Sequence, residues 1–158
     1  MAITEDEFKS ALSLFASGVT VVTTKDADDN LHGLTVSAFS SLSLSPPMVL
    51  ICIDKKTGSH HAFEESLGFV VNILCEDQMD ISNQFASHIP NKFEGIEYIL
   101  NKNKMPVLTN ALVNLECRLA DACNGGDHTI FIGEVEKSHI GEGKPLLYCE
   151  GSYQKIDD

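Results

Sequence analysis

The sequence predicts a β-rich fold of the α+β class, a Greek-key-like antiparallel barrel with a few short helices. Three observations point there. Apolar and β-branched runs are short and punctuated by Gly, Pro and Asn. Strand-like runs follow one another at both ends of the chain, so strand and helix do not alternate as a doubly wound parallel sheet requires. The 158 residues, 43% hydrophobic and 22% charged, suit a single domain spanning 1–158 with its own core.

Each element has a local reason. Thr4-Glu5-Asp6-Glu7 is a capping-box pattern, in which the threonine hydroxyl meets an orphan amide and Glu7 reaches back. Phe8, Leu12 and Phe15 then share one helical face, and Gly18 is placed to end the helix in a left-handed conformation. Val19 to Thr24 is β-branched throughout and reads as a strand. Lys25 to Asn30 is turn-like, and Leu31 to Phe39 returns as the second strand of a hairpin. After Pro46-Pro47, Met48 to Ile53 is a continuous apolar run of the kind buried on both faces. Thr57 to Leu67 reads as a short helix and Phe69 to Leu74 as another buried strand. Gln78 to Ser87 reads as a helix with Phe85 and either Met79 or Ile81 inward, and Asn91 to Pro106 is irregular. Three strands close the chain: Ala111 to Ala120, Thr129 to Ser138 and Leu146 to Tyr153.

Charge and cysteine usage narrow the function classes. Eleven bases against 23 acids leave a net charge of −12, and Arg118 is the only arginine, a poor composition for binding nucleic acid or an anionic membrane. The longest stretch free of charged residues, Leu31 to Ile53, carries His32, five serines and Pro46-Pro47, which excludes a lipid-facing helix. The acidic N-terminus is wrong for a targeting peptide, and five scattered cysteines without a CxxC pair fit reduced thiols in a cytoplasm. No metal-ligand spacing, nucleophile elbow or GxGxxG dinucleotide motif is present.

Three segments offer chemistry. Gly33 to Ser43 is uncharged yet dense in hydroxyls, suited to offering amides and hydroxyls to an anionic or polar ligand; the same pattern also makes a serine-rich solvent face. Lys55-Lys56-Thr57-Gly58-Ser59 stands between a buried strand and a helix, where lysines, amides and a helix terminus hold phosphate, or where a polar turn simply meets solvent. Gly125-Gly126-Asp127-His128-Thr129 permits a sharp bend leading His128 into a strand.

These pieces, in this order, resemble the short-chain flavin reductases, the flavin reductase-like family. The resemblance runs from Phe8 to Tyr153 through FKSALSLFASGVTVVTT, GLTVSAFSSLSLSPPMVLICI, GFVVNIL, QFAS, GDHTIFIGEV and GKPLLYCEGSYQKI. It implies the FMN-binding split β-barrel and a homodimer with the flavin near the interface. It further implies FMN, or FAD, as cofactor and NADH or NADPH as hydride donor. The Glu150-Gly151-Ser152 segment lacks a cation for the 2′-phosphate of NADPH, which favours NADH. By the same resemblance, Thr35, Val36, Ser37, Ala38 and Ser41 run along the flavin, with Cys52, Ile53 and Asp54 as neighbours. Lys55 and Ser59 fall on its phosphate side, while Asn72, Phe85 and Ala86 complete the pocket. His128 faces the nicotinamide as its positioning residue, with Tyr153 near the same opening. The implied activity is hydride transfer from nicotinamide to flavin, supplying reduced flavin to a partner such as a two-component monooxygenase. The alternative is a flavin-retaining electron-transfer module reduced by a protein partner or serving iron or rubredoxin-type acceptors.

Overall fold

The structure, a computed structural model, describes residues 2–157. The capping box forms as its pattern requires. Thr4 Oγ1 accepts from Glu7 N at 3.2 Å and Glu7 Oε2 accepts from Thr4 N at 2.8 Å, opening α1 (Glu5–Ser13). Gly18 does not end this helix. Leu14 is a right-handed cap, and the last turn meets a donor from the far end of the chain, Glu150 N to Ser13 O at 2.7 Å. Gly18 lies instead in β1 (Ser17–Gly18), paired with β11 (Leu147–Cys149).

The main sheet contains β2 (Thr20–Lys25), β3 (Leu31–Val36), β4 (Phe39–Leu44), β5 (Pro47–Asp54), β6 (Gly68–Ile73), β9 (Val113–Gly125) and β10 (His128–Ile140). Its order is β3-β2-β6-β9-β10-β5-β4, every pairing antiparallel. The two edges, β3 and β4, are consecutive in the chain and joined only by Ser37 and Ala38. A link that short forces the sheet to curl until its edges approach, which is a barrel with a split. Cys52 N donates to Ala38 O at 3.0 Å and seats the link against β5.

The barrel interior is filled by Val22, Ile51, Ile53, Phe69, Val71 and Phe131, with Phe63 of α2 (His60–Glu65) packed against them. A second cluster, Val19, Val21, Leu74, Phe85, Leu108 and Leu146, lies beneath α3 (Met79–Ala86). The pair β7 (Tyr98–Leu100) and β8 (Pro106–Leu108), and the hairpin of β11 with β12 (Ser152–Gln154), complete the molecule. β2 is thus buried on both faces, as its unbroken β-branched run implies. Gly33 lets α3 approach β3, because a Cβ there would stand 2.5 Å from Phe85 Cε1.

Several expected elements change shape. The strand expected over Leu31 to Phe39 breaks at Ser37-Ala38, since a continuous strand could not cross from one sheet edge to the other. β5 alternates rather than burying both faces, with Val49, Ile51 and Ile53 inward and Leu50 and Cys52 half-exposed. The helix expected over Thr57 to Leu67 contracts to α2, because turns occupy residues 55–59. Leu146 to Tyr153 folds into a hairpin at Glu150 (φ 51°) and Gly151 (φ 75°). In α3 it is Phe85 and Ile81 that join the core, while Met79 is exposed.

Candidate functional site

The break between β3 and β4 opens a cleft at the mouth of the barrel. One lobe, of about 230 Å³, is lined by Thr35, Val36, Ser37 and Ala38 on one side and by Cys52, Ile53, Asp54 and His128 on the other. A second lobe, of about 450 Å³, shares Leu34, Thr35 and Thr57 with the first and continues past Ser59 to Phe85, Ala86 and Lys92. The structure therefore brings together eleven of the residues implied by the family resemblance.

The first lobe is polar and mostly neutral, with Asp54 its one carboxylate. Thr35 Oγ1 donates to Ser82 O at 2.6 Å, which fixes β3 against α3. Among the described residues the amides of Ser37 and Ala38 have no protein acceptor, because the chain has left one edge strand and not yet joined the other. Such amides are donors for a ligand that carries developing negative charge. Burial pushes the Cys52 thiol up, so it lines the wall as a neutral group. His128 begins β10 opposite Asp54, and its Nδ1 lies 2.7 Å from Asp127 Oδ1. That hydrogen bond is the main cause that holds the Asp127 carboxyl below the usual carboxylate range.

The second lobe carries the cations. Lys92 Nζ donates to Phe85 O at 3.0 Å and Gly33 O at 3.3 Å, and burial lowers its pKa from the ordinary lysine value. Neither Lys92 nor Lys56 forms an ion pair among the described residues, although acids outnumber bases by 23 to 11. Both line the same lobe, with His88 and Ser59. A half-buried cation whose protein partners are only carbonyls retains affinity for an anion.

Behind this lobe lies a polar chain. His32 Nδ1 is 3.0 Å from Ser59 Oγ, and His32 Nε2 is 3.0 Å from Asp26 Oδ2. Asp26 Oδ1 also accepts from the amides of Asp28 and Asn30, both at 2.9 Å. These bonds, the one from His32 first, hold the Asp26 carboxyl well below the usual carboxylate range. His61 completes a group of three whose ligand atoms lie within 4.8 Å of one another, its ring edge-on to His32 at 5.1 Å.

Four of the implied site residues lie elsewhere. Asn72 is fully buried in the core, where Nδ2 donates to Val21 O at 2.9 Å and Oδ1 accepts from Leu108 N at 3.1 Å and Asn114 Nδ2 at 2.8 Å. Lys55 is tied to the β9–β10 turn, donating to Asn124 Oδ1 and, at 2.8 Å, to Gly126 O. Ser41 sits on the edge strand β4 opposite Val49, outside the cleft. Tyr153 is held at another surface, its hydroxyl 2.8 Å from Ser82 Oγ and 2.9 Å from Asn83 Oδ1. It therefore does not share an opening with His128. The helix terminus expected to help Lys55 to Ser59 is also weak, since α2 is only six residues long and Ser59 makes no side-chain cap. Sequence reasoning missed Lys92 and His88. Their sole signal was scarcity: a lysine and a histidine just after a helix in an acid-rich chain.

Comparison with known proteins finds relatives over nearly the whole chain. Residues 12–157 match the family model described as "Flavin reductase like domain". The chain is 40% identical over 148 residues to the reductase component of a 4-nitrophenol 4-monooxygenase/4-nitrocatechol 2-monooxygenase of Rhodococcus opacus, covering 93% of this chain and 78% of that one. It is 35% identical to an NADH-dependent flavin reductase of a Rhodococcus species, covering 98% and 88%. Among solved structures, the NADH:FAD oxidoreductase SgcE6 of Streptomyces globisporus C-1027, in complex with NAD and FAD fragments, superposes with a TM-score of 0.91. The two are 29% identical, and the match covers 99% of this chain and 98% of that one.

Proposed function

The chain belongs to the flavin reductase like family, and on that premise we propose that its two-lobed cleft binds FMN or FAD and receives NADH, or NADPH, for hydride transfer to the flavin. The observation that carries the reading is the pairing of a mostly neutral lobe, beside the open Ser37–Ala38 link, with a lobe in which, among the described residues, Lys92 meets only carbonyls and Lys56 forms no ion pair. A neutral ring and an anionic tail need those two environments in that order. The donor set fits a flavin: amides for the ring, cations and hydroxyls for the phosphate.

When bound, the flavin supplies the hydride-accepting ring, so the protein is asked mainly to bind and orient. Ser37 and Ala38 line the cleft, and their amides, without a protein acceptor among the described residues, would serve as fixed donors to negative charge on the ring. Thr35, tied to α3, keeps that wall rigid. Lys56 and Lys92, with Ser59, hold the phosphate end. His128, steadied by Asp127, borders the open side and positions the nicotinamide. With both ligands held at that wall, proximity and orientation would be the chain's contribution, without covalent help from its side chains.

The relatives' names support a place as the reductase component of a two-component monooxygenase, whose oxygenase consumes the reduced flavin. A homodimer also belongs to the proposal. Its support is α1, which buries no residue and exposes Phe8 and Leu12, with Phe15 exposed just past the helix end. The test is anaerobic mixing of the protein with FMN and NADH. Loss of the oxidised-flavin absorbance that saturates with NADH is expected; tight flavin binding without bleaching overturns the reductase reading in favour of an electron-transfer module.

A further inference from the structure

We propose that Asp26, His32 and His61 form a binding site for a divalent transition-metal ion of the zinc type, which clips the β2–β3 turn to α2. These three residues line neither lobe of the cleft, so the site stands apart from the flavin reading. No local spacing announces the trio. Asp26 and His32 stand on either side of the β2–β3 turn, whereas His61 comes from α2. His60 and His61 are adjacent but turn apart. His60 Nε2 is 2.8 Å from Thr129 Oγ1 and its Nδ1 is 2.7 Å from Glu64 Oε1, while His61 Nε2 faces Asp26.

Asp26 Oδ2 is the common point. His32 Nε2 lies 3.0 Å from it and His61 Nε2 3.9 Å, and the three ligand atoms fall within 4.8 Å of one another. Neighbouring ligands of a tetrahedral ion with bonds of about 2.0 Å are roughly 3.3 Å apart, a spacing that lies between those two distances. The longer one is no hydrogen bond, and among the described residues the His61 ring makes none. Its side chain is 52% exposed, so it is free to turn toward the ion, and water completes the coordination from that open side. The charge balance also asks for a cation. Asp26 is 8% exposed, and among the described residues its ion-pair partners are histidines alone, with no lysine or arginine to neutralise it. A buried carboxylate without a permanent counter-ion gains from a bound cation. The Asp28 and Asn30 amides hold Oδ1, both at 2.9 Å, which keeps Oδ2 aimed at the histidines. When the ion takes His32 Nε2, the ring proton moves to Nδ1 and Ser59 Oγ, 3.0 Å away, accepts it. Such a bond on the far nitrogen is how metal-binding histidines are oriented. Two imidazoles with one carboxylate favour zinc, copper or nickel over magnesium, which prefers oxygen ligands.

The test is calorimetric titration of Zn2+ into chelator-treated, flavin-free protein with its cysteines reduced, followed by thermal unfolding with and without the ion. One Zn2+ per chain and a raised melting temperature are expected, with no such response to Mg2+. His61→Ala should weaken zinc binding roughly a hundredfold or more and leave the metal-free melting temperature unchanged, because the side chain is half-exposed. Ser59→Ala should weaken it roughly tenfold, as the loss of a ligand's supporting bond does. His139→Ala, at an exposed histidine of β10, should bind as the parent does. A parent that takes up no zinc, or that binds Mg2+ as well as Zn2+, overturns the site. So does an unchanged affinity in both His61→Ala and His32→Gln, which would put the ion on other groups. A protein that takes zinc but no flavin keeps this site and overturns the flavin reading alone.

Discussion

Asn72 and the Ser37–Ala38 link make a useful contrast. Both are polar, one within β6 and the other between β3 and β4 of the same sheet, and the family resemblance assigns both to the cofactor. The core around Asn72 is closed: its amide serves Val21 O and Thr23 Oγ1, and its carbonyl oxygen serves Leu108 N and Asn114 Nδ2. The link is open: its two amides have no protein acceptor among the described residues. Nearby Lys92 is satisfied only by carbonyls. A polar group whose capacity is filled by the protein stabilises the fold, and one whose capacity is left over at a cleft binds something else.

The strongest way to break this contrast is Asn72→Ala. It leaves the buried Leu108 amide and Asn114 amide group short of an acceptor, at ~1–3 kcal/mol for each orphan. Urea unfolding should show a loss of about 3 kcal/mol or more, while the folded fraction keeps its flavin affinity. An unfolding midpoint equal to the parent's would put Asn72 back among the cleft residues.

Lys92→Met addresses the other side. It should weaken FMN binding at least tenfold, since a hydrogen bond to a charged group contributes ~1.5–3 kcal/mol. Riboflavin binding should be untouched; equal loss of both ligands would mean that Lys92 merely supports α3. A smaller effect is expected from His128→Ala: a severalfold higher KM for NADH at unchanged FMN affinity. Normal kinetics would make the His128–Asp127 pair a feature of the turn alone.

The last prediction sharpens the contrast by pH. Asp26 has its folded pKa depressed, so the stability it contributes is present above its unfolded value, near ~4. That stability drains away as pH falls from there through the depressed folded value. Asp26→Asn should flatten this acid limb of thermal unfolding and leave the neutral region's slope unchanged. An acid limb as steep as the parent's would mean that other carboxylates carry it.

How much of this was legible beforehand differs by element. The capping box, the β-branched β2, and α3 with Phe85 inward all follow from patterns confined to a few residues. The break at Ser37-Ala38 was hidden because nothing in an uncharged, hydroxyl-rich run says where it changes sheet edge. Asn72 was misplaced for the same kind of reason: sequence shows that an asparagine interrupts an apolar run, not what its amide meets. Lys92 was overlooked because its partners, Gly33 O and Phe85 O, come from two elements that only packing brings together.

The sequence by itself determined the class of fold, the helices α1 and α3, the strand runs of β2, β5, β6, β9 and β10, and a hydroxyl-rich segment suited to a neutral ligand surface. Those are consequences of periodicity, propensity and composition, which act over neighbouring residues. Only the tertiary structure decided which polar groups are spent inside and which are left for a ligand. Hydrogen-bond satisfaction is settled by partners far apart in the chain, as the 27-residue separation of His32 and Ser59 shows.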